Sequence, residues 1–188
     1  MHLNRKKSLT RSFAATLLTF IGSLAACEEP TPEPPLKAES TCGSSGRLTG
    51  SLSGAINTKL DWSDADLRCE SMPRPDSQGV RLRFSGEISG ERLAIIVALP
   101  TLKAGATGEA FDSNVTITVE DSGRFFSTPN VDTCWTNVET NELLADQSVI
   151  FNVVGSLSCV APLGEINGAA FVDLRDLRFS GVAAWTNP

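Results

Sequence analysis

Residue types that commonly carry chemistry are sparse in this chain of 188 residues, and their spacing excludes most of the usual centres. The single histidine is His2, at the edge of a leader expected to be removed, and tyrosine is absent. A Ser-His-Asp or Cys-His centre and histidine-ligated metals are therefore excluded from the mature chain. Serines are frequent, but none stands in Gly-x-Ser-x-Gly or Ser-x-x-Lys. A carboxylate pair for glycoside hydrolysis is open to any acidic protein, and nothing marks one among the 22 Asp and Glu, so a hydrolase is a third reading. Asp61, Asp64 and Asp66 suggest calcium, yet Arg68 stands where a third oxygen ligand is needed and the glycine after it is missing. Capping suits this stretch better: Ser63 followed three residues later by Asp66 predicts one helical turn before Cys69. Trp62, Trp135 and Trp185 could stack on sugar rings, which would make the domain carbohydrate-binding, although tryptophan more often supplies core area.

The cysteines are more informative. Cys42, Cys69, Cys134 and Cys159 form an even set, with Cys27 as a fifth. In an exported chain an even set reads as disulfides, and of the three pairings Cys42–Cys69 with Cys134–Cys159 closes the shortest loops. Zinc is the rival, but no pair has ligand spacing and no histidine accompanies them. No glycine-rich phosphate loop precedes a helix either, so no cofactor and no metal is expected.

Cys27 has a different setting. Arg5, Lys6, Lys7 and Arg11 form a positive head, and an uncharged stretch from Phe13 to Leu24 follows, rich in Leu, Ala, Ile and Phe. That is a secretory pattern, shorter than the roughly 20 apolar residues a stable membrane-spanning helix needs. It ends in Leu24-Ala25-Ala26-Cys27, which resembles the lipobox of bacterial lipoproteins. The resemblance covers the first 27 residues and implies cleavage before Cys27, a diacylglyceryl group on its sulfur and an acylated amino terminus. The partner so implied is a lipid bilayer. Glu28 rather than Asp follows the cysteine, which by the Gram-negative sorting rule implies the outer membrane.

Loss of residues 1–26 removes four of the 16 basic residues and none of the 22 acidic ones, leaving 12 against 22 and a formal charge of −10. Such a balance argues against nucleic acid and against adhesion to anionic lipid. Residues 27–41 form the lipidated start and a tether, Glu-Glu-Pro-Thr-Pro-Glu-Pro-Pro, too acidic and proline-rich to pack. Residues 42–188 remain as one domain.

Within that domain the hydrophobic pattern has period two. Leu48, Leu52, Ile56, Leu60 and Trp62 share one parity from Leu48 to Trp62, with Gly50 and Gly54 marking bends, bulges or close backbone approach, so the run reads as one strand or as two in sequence. Val80, Leu82 and Phe84, then Leu93, Ile95, Val97 and Leu99, predict a hairpin with a two-residue turn at Ser89-Gly90. This register sets Phe84 opposite Ile95 and Val80 opposite Leu99. Its outer face carries Arg81 and Arg83 across from Ala98 and Ile96. Either the arginine stems cover that apolar surface or Arg81, Arg83 and Ile96 form a patch for a partner.

Further strands are expected at Val115–Val119, after the Asp121-Ser122-Gly123 turn, at Val131–Val138 and at Val149–Cys159. A last pair is expected over Ala169–Trp185, with a bulge or turn at Arg175-Asp176. Thr140–Gln147 and Ser63–Cys69 are the two stretches with helical character. About eight short strands predict an all-β fold, an antiparallel β-sandwich ahead of a closed β-barrel. The expected function is a non-enzymatic binding or scaffolding domain held at the cell envelope, its partner an envelope protein or a glycan. The alternative is a carbohydrate- or peptide-binding module at the cell surface.

Overall fold

The computed structural model describes residues 42, 46–63, 65–72, 74, 78–145 and 148–185. Cys27, the preceding leader, the tether and Asp64 lie outside the described residues. The described residues are all-β: 11 strands in one continuous antiparallel sheet, folded over into a sandwich. The strands are β1 (Arg47–Gly54), β2 (Thr58–Ser63), β3 (Arg68–Met72), β4 (Val80–Ile88), β5 (Glu91–Leu99), β6 (Gly108–Val119), β7 (Arg124–Ser127), β8 (Cys134–Leu143), β9 (Ile150–Cys159), β10 (Leu163–Glu165) and β11 (Phe171–Ala184).

One layer runs β3-β4-β5-β6-β7-β10 and the other β2-β1-β11-β9-β8. The long strands β6 and β11 belong to both, because their two halves pair with different neighbours. β2 and β3 end the path as edges, so the sheet is not a closed barrel. Alternation turns one side of each strand inward, and the layers meet where Phe84 of β4 packs on Phe179 of β11, ring centroids 5.5 Å apart. Gly181 of β11 lies under the same ring: a Cβ there would come within 2.6 Å of Phe84.

The β4–β5 hairpin takes the expected register, Phe84 opposite Ile95 and Val80 opposite Leu99. Ser89 and Gly90 both have positive φ, 52° and 86°, the geometry of a two-residue turn matched to strand twist. The run from Leu48 to Trp62 divides at Gly54 (φ 104°) into β1 and β2. Gly50 admits the β11 backbone, with the Arg175 carbonyl 3.2 Å from where its Cβ would sit. Both expected disulfides are present, Cys42–Cys69 and Cys134–Cys159.

Four expectations need correction. Ser63 starts no helix: its carbonyl accepts from the Asp66 amide at 2.8 Å in a turn, after which Cys69 pairs with Phe84 as part of β3. Thr140–Leu143 continues β8, because Asn141 is drawn inside, where its amide nitrogen donates to the carbonyls of Lys103 and Ala106, each at 2.9 Å. The strand expected from Val131 begins only at Cys134. Ala169–Trp185 gives one long strand from Phe171; the phase change at Asp176 (φ 52°) is a bulge that matches the register shift in β1. No helix of the described residues is long and apolar enough to cross a membrane.

Candidate functional site

The parity that buries Val80, Leu82 and Phe84 turns Arg81 and Arg83 outward, and pairing carries this outer face across three strands. Arg83 lies beside Ile96 and then Thr116; Arg81 lies beside Ala98 and then Asn114. The residues expected as a patch therefore share one face, but the structure divides them between two grooves.

Arg83 is taken up within the protein. Its guanidinium donates to Glu70 on β3 at 2.9 Å, to Ser85 at 3.3 Å and to Glu120 just beyond β6. Its side chain is only 19% exposed. Ala94, cross-strand from Ser85 on the same outer face, is 1% exposed. Arg92 reaches the same Glu120 at 3.8 Å and donates to Asp121. The Arg92 backbone amide, donating at 2.8 Å, is the main cause that holds the Asp121 carboxyl below its ordinary range. Around this network lies an open groove of about 640 Å³, with Trp62, Asp66, Arg68 and Glu87 also in its walls.

Arg81 and Ile96 line the other groove, of about 500 Å³, together with Arg74, Ala98, Asp112 and Val131. Its floor is the apolar strip of β5 and its rim carries charge of both signs. Val131 is half exposed, so this apolar wall is open to solvent.

The tryptophans do not assemble into a platform. Trp62 is buried with its ring against Gly86, where a Cβ would come within 2.6 Å. Trp185 is buried edge-on against Phe151, centroids 5.0 Å apart. Trp135 is half-buried on the outer side of β8, opposite Asp112. Glu70 and Glu120 do face one another, but across the Arg83 guanidinium, which fills the space a substrate would need between them. Asp61 is paired with Arg47 at 2.8 Å.

Sequence reasoning missed Glu70, Glu120, Asp112 and Val131. Glu70 stands directly opposite Arg83, a legible charge pair once β3 is recognised as a strand. Val131, expected as the first residue of a strand, reaches the groove instead from the connection between β7 and β8. No protein-family model, curated protein or solved structure matches this chain.

Proposed function

We propose that this chain is an envelope lipoprotein, anchored through an acylated Cys27, whose β-sandwich is a non-enzymatic binding or scaffolding domain for another envelope component, with the outer membrane as its site. The anchor rests on the lipobox-like Leu24-Ala25-Ala26-Cys27. The observation that carries the binding role is the open groove of Arg81, Ile96, Ala98 and Val131: an apolar floor with a charged rim, the usual anatomy of a protein-docking surface. Crosslinked envelopes of the producing organism, pulled down with the intact chain, Cys27→Ser and Val131→Asp forms, test it. One partner is expected to be lost from the Val131→Asp form; a partner set unchanged by that substitution overturns the groove's role.

A second reading is a glycan-binding module, favoured by the groove of about 640 Å³, where the exposed side chains of Arg92 and Glu70 can hydrogen-bond sugar hydroxyls beside the buried Trp62. Titration of the full chain with soluble envelope glycans, followed by tryptophan emission, tests this reading. Unchanged emission removes it.

A further inference from the structure

The outer face continues past β6, and there its character changes. Phe125 of β7 and Ile166 just after β10 are joined across the strands, the Ile166 amide donating to the Phe125 carbonyl at 2.8 Å. One step along, Gly164 lies between Ser127 and Phe171 of β11. By strand parity all five residues share one side. Phe125, Ile166 and Phe171 are 45%, 53% and 55% exposed, and a Cβ on Gly164 would meet nothing within 4 Å. On the β6 side the flanking residues are Thr116 and Thr118, while along β11 the next outward residues are Asp173 and Arg175, neutralised as a pair at 2.7 Å. With roughly 150–250 Å² per aromatic side chain, the three leave about 300 Å² of apolar surface bare, within the range of patches that are often functional.

We infer that this face rests on the lipid bilayer, the three side chains entering the neutral headgroup region; the inference deepens the proposed anchoring and depends on it. Reach supports that occupant. Cys42 packs against Gly46, at the start of β1, whereas Phe171 lies at its far end, its carbonyl accepting from Ala55 at 2.9 Å. At about 3.3 Å per residue, the eight residues of β1 separate the two by about 25 Å. The 15 residues from Cys27 to Cys42 can extend to about 45 Å at 3.1 Å each, enough to let the domain lie on its side. A tether of that length keeps the patch at millimolar effective concentration near the lipid, so a weak apolar insertion suffices. The acidic charge of the mature chain gives no pull toward anionic lipid, which leaves apolar contact as the attraction.

The test uses the full chain as processed in cells, its acylation read by intact mass, in phosphatidylcholine vesicles with or without brominated acyl chains. Phe171→Trp is compared with Glu139→Trp, an exposed site on β8. Emission added by Phe171→Trp is expected to be blue-shifted and quenched by bromolipid about twofold more than that added by Glu139→Trp. Equal quenching in an acylated chain overturns this inference and leaves the anchor standing. Blue-shifted emission that bromolipid does not quench overturns it in favour of a second copy or another protein. A mass without fatty acid overturns the anchor and the inference together.

Discussion

At the residue scale, two kinds of position decide most. Gly181 and Gly86 hold aromatic rings where any side chain would collide, Phe84 in the first case and Trp62 in the second. Gly181→Ala is expected to cost about 1–3 kcal/mol by overpacking, read as a lower urea midpoint with unchanged slope. The second kind is the ionised carboxylate held by donors. Asp121 is lowered chiefly by the Arg92 amide, and Glu165 chiefly by the Arg124 side chain, whose Nε donates at 2.7 Å. A carboxyl whose folded pKa is depressed adds stability that is complete above its unfolded value of about 4 and is lost as pH falls through the folded value. Thermal midpoints between neutral pH and pH 2 should therefore fall below about pH 4, and less steeply in Asp121→Asn and Glu165→Gln. An equally steep fall in both variants would assign the acid sensitivity elsewhere.

At the element scale, the β4–β5 hairpin isolates backbone preference from packing, since Gly90 has positive φ and a Cβ there would touch nothing. Gly90→Ala should destabilise by about 1–2 kcal/mol from left-handed strain alone, while Ser89→Asn, better suited to its φ of 52°, should be neutral or stabilising. Denaturant melts of the two variants check the pair. The hairpin was legible because turn chemistry and alternation favour one register. β3 was not, because five residues with Arg, Glu and Ser on an edge carry no apolar alternation; the ladder to β4 and the bond to Cys42 make it a strand. β10 has only three residues and exists because β7 and β11 supply partners on both sides. Thr140–Gln147 has helical character in sequence, but Asn141 finds buried partners in the carbonyls of Lys103 and Ala106, and its stretch stays in β8.

At the scale of the whole molecule, the disulfides close loops of nearly equal length, 27 and 25 residues apart, each adding about 3 kcal/mol by restricting the unfolded chain. The native state should separate them. Cys42 and Cys69 are both buried in the core, whereas Cys159 is half-buried and its strand is already paired to β8 from Cys134 to Leu143. Cys42→Ala with Cys69→Ala should therefore lower the melting temperature more than Cys134→Ser with Cys159→Ser; the reverse order would place the critical constraint in the β8–β9 ladder. The sequence by itself determined the all-β class, the central hairpin register and the charge balance, because period-two alternation and turn residues are local quantities, whereas it left three cysteine pairings open and the structure chose the one with the shortest loops. Tertiary structure alone decided that β6 and β11 serve both layers, that Arg83 is consumed by Glu70 and Glu120, and that Phe125, Ile166 and Phe171 converge. Each of those depends on which distant strands become neighbours in the sheet, and that is set by ladders between segments far apart in the chain.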